Sequence, residues 1–566
     1  MRIICSLIGI LFFLVSCTQD KKATMIIKGG DIYTVDPLQP SVEAVAVLDG
    51  RILAMGNESD VNKYADDKTE IIDATGSFVM PGFIEGHGHF SGLGKSLQEL
   101  NLLKTTSWDE IVELVEEKAR DAKPGEWITG RGWHQEKWSA YPGQTYFGYP
   151  DHKKLSAVSP DNPVMLIHAS GHGLFANAKA MEMAQINLET LDPAGGAVIR
   201  NDQGEAIGVF EERAMAMIRD VHQDYLNSID PGEREAKWEE SIVLATEECL
   251  RKGVTSFQDA GSSFEEIEAY TEMARDETLG IRLWAMIRRS SEEMKGRLAS
   301  IRTVDAGDHF FTCRAIKTEI DGALGSYGAW LLESYSDKPN FVGQNTTELS
   351  EVKAIGKLAE KNDMQLCIHT IGDRGNQEIL NLIEQDFPQS RDKRWRMEHA
   401  QHLAVSDIPR FVELGVIASM QAIHCTSDSP FVVARLGEER AKTGAYPWRS
   451  LLDAGAVVTN GTDAPVEDVD PIASFHASVT RKRAGNSEAF FPEQSMTREE
   501  AMYSYTMANA YAAFEEESKG SITVGKLADF VILDHNIVTC PEDQILDTKV
   551  LYTILNGKVV FDAKEI

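Results

Sequence analysis

The stretch Pro81-Gly82-Phe83-Ile84-Glu85-Gly86-His87-Gly88-His89-Phe90 decides how the rest of the chain is read. Its apolar run ends in two histidines spaced i, i+2. Successive side chains of an extended strand point to opposite faces, so this spacing presents both imidazoles on one face, as a shared metal ion requires. A His-x-His pair is also what two ordinary polar residues at a strand end look like, and what the chain supplies downstream separates the two readings.

Downstream, further apolar runs end in residues able to ligate or charge a metal site. Cys313-Arg314-Ala315-Ile316 leads to Lys317, Met364-Gln365-Leu366-Cys367-Ile368 to His369, Trp395-Arg396-Met397-Glu398 to His399, and Ala456-Val457-Val458-Thr459-Asn460-Gly461-Thr462 to Asp463. Between these runs lie amphipathic helical patterns at 238–251, 349–362 and 408–414, alternating with short strands at 254–257, 364–368 and 416–420. Repeated βα units imply a parallel sheet. An array this long implies an α/β fold with a (β/α)8 barrel, in which functional groups sit at the C-terminal ends of the strands. From about Asn101 to Glu240 the rhythm breaks. Aromatics and glycines appear there, as in Gly130-Arg131-Gly132-Trp133-His134-Gln135-Glu136-Lys137-Trp138, and we expect an insertion after barrel strand 1 that roofs the site.

Both ends of the chain are β-rich. Met25 to Asp36 and Ala44 to Gly56 are short runs broken by Gly or Asp-Gly. Phe530 to Asp534 and Val550 to Phe561 repeat the style, with Asn556-Gly557 as a type I′ turn. The expectation is that the termini meet in an accessory β-sandwich with the barrel inserted between them. The divisions are 17–80 for its N-terminal part, 81–520 for the barrel and 521–566 for its C-terminal part.

Eighty-eight acidic residues against 56 basic ones give a net charge of −32, which argues against nucleic acid and against docking on anionic lipid. A hydrophobic content of 43% is that of an ordinary globular protein. At the N-terminus, Arg2, the apolar run from Ile3 to Phe13, and Leu14-Val15-Ser16-Cys17 resemble a lipoprotein signal peptide over residues 1–16, with Cys17 lipidated. The run falls short of the ~20 residues a spanning helix needs. Thr18 rather than Asp follows the cysteine, so the expected location is the cell envelope, lipid-anchored at the outer membrane. The five later cysteines form no CxxC pair and are expected as buried thiols.

Taken together, the motifs resemble the amidohydrolase superfamily and, within it, the YtcJ-like branch (amidohydrolase family 3), which includes N-substituted formamide deformylase. They are Pro81 to His89, Ser170-Gly171-His172, Lys317 to Ser326, His369-Thr370-Ile371-Gly372-Asp373-Arg374, Glu398-His399-Ala400-Gln401, Gly461 to Val466, and Lys519 to Phe530. The resemblance implies that His87, His89 and Asp463 bind the more buried metal, with His369 and His399 on a second metal or divided between ligation and substrate activation. One or two divalent ions, Zn²⁺ foremost, suit imidazoles and a carboxylate. Asp463 would exchange the proton between water and the leaving nitrogen, with His399 beside it. Lys317 either carries CO₂ as a carboxylated bridge between two metals or pairs ordinarily with Glu319 or Asp321.

The same resemblance points to His172 as a substrate contact; Glu212, Trp133 and Tyr327 are read as substrate-side residues of the same pocket, and the closeness of Asp373 and Glu398 to ligands in sequence suggests hydrogen-bonding groups behind the imidazoles. Trp138 and Trp330 are further pocket candidates, while His402 and His424 carry no assignment. Two departures stand out. Glu85-Gly86 replaces the usual Asp-Ser before His-x-His, and Tyr327 replaces the Arg of Gly-Ser-Arg, which removes a guanidinium from the substrate side. The expected function is metal-dependent hydrolysis of a non-peptide C–N bond in a small N-acyl, N-formyl or cyclic amide. Deamination or ester hydrolysis at the same site is the enzymatic alternative, and a lipid-anchored binding protein the non-catalytic one. The expected partners are a small-molecule substrate and, by base rate, a second copy of the chain in a homodimer.

Overall fold

This computed structural model describes residues 21–565 apart from 136, 137, 141, 142, 170, 172, 194 and 195. Residues 1–16, expected as a signal peptide, and Cys17, Ser170 and His172 lie outside the described residues.

Eight parallel strands follow one another around the barrel: β1 (Phe83–Gly88), β2 (Val254–Ser262), β3 (Arg282–Ile287), β4 (Phe311–Glu319), β5 (Gln365–Thr370), β6 (Arg396–His399), β7 (Ile417–Met420) and β8 (Val458–Asn460). Alternation along each strand sorts the side chains. Ile316, Ile368, Met397, Ala418 and Val458 point outward into the main core shared with the helices. Trp284, Met286, Ala315 and Cys367 point inward and pack together. Lys317 and His369 therefore share the inward face with Ala315 and Cys367, two residues earlier. The helical expectations at 349–362 and 408–414 correspond to Leu349–Lys361 and Ile408–Leu414.

Neighbouring strands are hydrogen-bonded everywhere except between β1 and β8. There, side chains close the ring. Asn509 donates from Nδ2 to the Ile84 carbonyl at 2.6 Å and to the Asn460 carbonyl at 2.8 Å, spanning the gap. Above the gap the backbone takes over, with Asp463 N–H donating to His87 O at 2.8 Å and His89 N–H to Ala464 O at 2.7 Å. The approach is so close that a Cβ on Gly86 would lie 2.4 Å from both Asn460 O and Asn509 Oδ1, which explains glycine at that position.

The two chain ends meet in one eight-stranded sheet. Phe530–Leu533 pairs antiparallel with Phe78–Pro81, joining the C-terminal hairpin to the N-terminal strands. Two-residue turns form at Asp49-Gly50 and Asn556-Gly557, all four residues having positive φ as a type I′ turn demands. Arg282, buried at the start of β3, forks onto Asp529 at 2.7 and 3.0 Å and locks this sheet to the barrel.

The insertion has a six-stranded sheet of its own, between Leu100–Asn101 and Ala206–Glu212, with separate apolar cores. It ends earlier than the sequence suggests. Asp230 caps Pro231–Arg251, a barrel helix that runs through Glu240 without a break. Its first two turns are polar and exposed, so the apolar period that betrays the helix begins only at Trp238. The Asp-Pro pair was the start signal.

Replacing Asn509 by Ala deprives two buried carbonyls of their donor. The metal-free protein is expected to lose about 2–4 kcal/mol, read from the urea midpoint. An unchanged midpoint would show that the flanking backbone bonds close the barrel by themselves.

Candidate metal centre

Buried ligand atoms converge at the C-terminal mouth of the barrel. His87, His399 and Asp463, from the ends of β1, β6 and β8, offer one ligand atom each, all within 4.8 Å of one another. His89 Nε2 lies 3.2 Å from Asp463 Oδ1 and His87 Nε2 lies 3.6 Å from it. His369 stacks edge-on to His399 with ring centroids 4.4 Å apart, and its Nε2 is 4.0 Å from Asp321 Oδ1.

Two of these groups reach the centre by an unusual backbone. After the inward-facing Glu398, an extended His399 would point outward, but its φ of 73° turns the chain and brings the imidazole back over the mouth. Asp463 has φ 59°. Non-glycine residues in this region cost about 1–3 kcal/mol, and such strain concentrates at functional sites.

Two of the imidazoles are oriented from behind. His87 Nδ1 lies 2.5 Å from Glu398 Oε2, and His399 Nδ1 lies 2.7 Å from Gln421 Oε1. With Nδ1–H donated to an oxygen, the lone pair of Nε2 in each ring is left for a ligand role. Glu398 is in turn held by buried Arg396, whose Nε is 2.7 Å from Oε1. Burial opposes the Glu398 charge, but Arg396 and then His87 outweigh it and keep the carboxyl well below its usual range. Burial, with Lys317 adding to it, depresses His87 to about 4 and holds it neutral. Burial, followed by the neighbouring imidazole and Lys317, holds His369 and His399 well below the ordinary histidine value. The Asp463 carboxyl, against its burial, is held well below its usual range by His424 and His89.

A cation fits this donor set. Among the described residues, His87 Nε2, His369 Nε2 and Asp463 Oδ1 are buried without a hydrogen-bond partner. Of these, His87 Nε2 and Asp463 Oδ1 lie 3.6 Å apart, and orphaned polar atoms so placed are costly unless something electropositive satisfies them.

Lys317 is buried at the end of β4, and burial pulls its ammonium below the ordinary lysine value. The ordinary pairing considered for it is absent. Glu319 pairs with Arg288, while Asp321 accepts the backbone N–H groups of Trp330, Ile371 and Gly372 at 2.8–2.9 Å.

The substrate-side expectations fare differently. Trp133 is buried in the insertion core, packed on Trp138, His168 and Phe175, and its Nε1–H donates to Leu166 O at 2.9 Å, so it is not a contact surface. Trp138 belongs to the same core. Tyr327 is half-buried beneath the Arg435 guanidinium, 4.1 Å from its ring. Glu212 is exposed at the end of its strand. Asp373 does not orient an imidazole. Its Oδ1 accepts the N–H groups of Leu332 and Arg374, fixing a loop at the start of its helix, and of the pair only Glu398 is hydrogen-bonded to an imidazole among the described residues.

Gln421 and His424 are site residues that sequence reasoning left unassigned. Gln421 directly follows β7, so extending the strand-end criterion to that strand would have found it. His424 lies in the turn beyond, with Nε2 3.4 Å from Asp463 Oδ2. In the insertion, burial lowers the Arg131 guanidinium below its ordinary value, and the charges of Asp463 and Glu99 oppose that shift.

A model of the Amidohydrolase family matches residues 70–561. The chain is 29% identical over 548 residues to YtcJ of Bacillus subtilis, covering 94% of this chain and 98% of that one. It is 26% identical over 568 residues to N-substituted formamide deformylase of Arthrobacter pascens, covering 95% and 98%. A metal-dependent hydrolase from Pyrococcus furiosus superimposes with a TM-score of 0.72 at 26% identity, covering 91% of this chain and 100% of that one.

Metal-free protein is expected to gain thermal stability on adding Zn²⁺, by about 4 kcal/mol when the free ion exceeds Kd a thousandfold. His87→Ala, His399→Ala and Asp463→Asn should each remove most of that gain. A full gain in all three would place the ion elsewhere.

Proposed function

The chain belongs to the amidohydrolase family and is a hydrolase, and from that premise we propose that it cleaves a non-peptide C–N bond in a small amide, with N-acyl and N-formyl amines as the substrate class. The observation that carries this reading is Asp463. One of its oxygens is tied to His424, while the other is unpartnered beside the ligand imidazoles.

His87, His89, His399 and Asp463 would hold a divalent cation, Zn²⁺ by the nature of the donors. Bound there, it supplies Lewis acidity toward a carbonyl and lowers the pKa of water. Asp463 would accept a proton from the attacking water and return it to the leaving nitrogen, so that amide and water become carboxylate and amine. Glu398 and Gln421 keep His87 and His399 in the tautomer whose Nε2 faces inward. Lys317 supports a second reading in which its amine, buried and without an ion pair among the described residues, takes up CO₂ and joins His369 in holding a second ion. The insertion, through Arg131, forms the substrate side. For the N-terminus we propose lipidation at Cys17 and an envelope location.

Asp463→Asn is expected to lower hydrolysis of a responsive N-acyl or N-formyl amine by at least about a thousandfold while leaving the fold intact. Retained activity would refute the mechanism, and release of ammonia or an alcohol in place of an amine would reassign the reaction. For Lys317, metal analysis with and without bicarbonate should give two ions per chain only with bicarbonate. One ion in both conditions would remove the second-ion reading.

A further inference from the structure

Strand β7 ends in no metal-ligating residue, yet the turn after it touches two ligands brought by its neighbours. Gln421 caps the helix Ala422–Leu436 and holds His399 of β6 from behind. Three residues on, His424 is buried between two carboxylates, with Nε2 3.4 Å from Asp463 Oδ2 and Nδ1 3.7 Å from Glu467 Oε1. Among the described residues no other side chain is hydrogen-bonded or ion-paired to Asp463 Oδ2, whereas Oδ1 is turned toward His87 and His89.

A carboxylate has two equivalent oxygens and a soft terminal torsion, so nothing in Asp463 itself decides which oxygen faces the mouth. The left-handed backbone at this residue places the group but leaves that torsion open. A donor fixed on one oxygen breaks the equivalence. His424 is suited to this because its ring lies between the carboxylates of Asp463 and Glu467, in the first turn of a helix.

We infer that His424 is a positioning residue that reserves Asp463 Oδ1 for the metal centre by holding Oδ2, with Glu467 orienting the His424 ring. This rests on the reading of Asp463 as a ligand and base. It also gives the β7 turn one function toward both flanking ligands, Gln421 toward His399 and His424 toward Asp463.

The test is a competition titration of Zn²⁺ against a chromophoric chelator, with the unfolding midpoint of the metal-free protein as the fold control. Three variants are compared: His424→Ala, His424→Phe, which keeps ring volume without a donor, and His424→Gln, which keeps an amide donor. Loss of a group that orients a ligand costs 10–100-fold in affinity, so Ala and Phe are expected to weaken Zn²⁺ by about that factor while Gln recovers most of it. Equal affinity in Phe and wild type, or equal weakness in Gln and Phe, would overturn the inference. If Ala fails to fold, the Phe and Gln pair decides. A wild-type protein that binds no Zn²⁺ would instead sink the underlying reading of the site.

Discussion

Arg396 is the group on which the interior of the barrel depends. It is buried, with its guanidinium 2.5 Å from Gln258 Oε1, 2.7 Å from Gly86 O and 2.8 Å from Ser419 Oγ, besides its ion pair with Glu398. These partners lie on β1, β2, β6 and β7, so one side chain ties strands from half of the ring across its middle. A buried charge is tolerable only when it is paired, and removing one partner of such a pair costs about 3–5 kcal/mol. The same pairing makes Glu398 an acceptor for His87. Barrel packing and metal-site geometry are therefore one network, and neither can change independently.

The mouth of the barrel shows where regular structure gives way to function. His399 and Asp463 occupy left-handed backbone immediately after their strands, and the barrel seam beside Asp463 is closed by Asn509 rather than by a strand ladder. Glu85 reinforces that seam by accepting the Thr462 N–H at 2.6 Å, although burial pushes its carboxyl up to about 8. Strain of this kind persists because the strands on either side over-determine the chain path. It gives ligands from opposite sides of the seam a common centre.

Much of this was legible in the chain because strand periodicity and strand-end chemistry are local. Lys317, His369, His399 and Asp463 each follow an apolar run, and each is found at or just beyond a barrel strand. Barrel strand β3 escaped the same test because Arg282–Ile287 ends in no ligand. Trp133 and Asp373 failed for a different reason. An aromatic in a glycine-rich segment and a carboxylate near a ligand are equally consistent with packing and with contact, and only neighbours remote in sequence settle which. Gln421 and His424 were hidden likewise, since their partners His399 and Asp463 lie 22 and 39 residues away.

By itself the sequence determined the parallel βα array, the hairpins at both ends and the residue types arriving at the mouth, since each follows from alternation, turn chemistry and spacing within a few residues. Tertiary structure alone decided which of those residues meet. His399 joins His87 and Asp463 in a group of ligand atoms all within 4.8 Å of one another, and His89 is not part of that group. Glu398 serves the imidazole of β1 and not its own neighbour, and a turn without ligands orients two of them. Those outcomes depend on closure of the ring and on two left-handed residues, and contacts made across a closed barrel have no local signature in the chain.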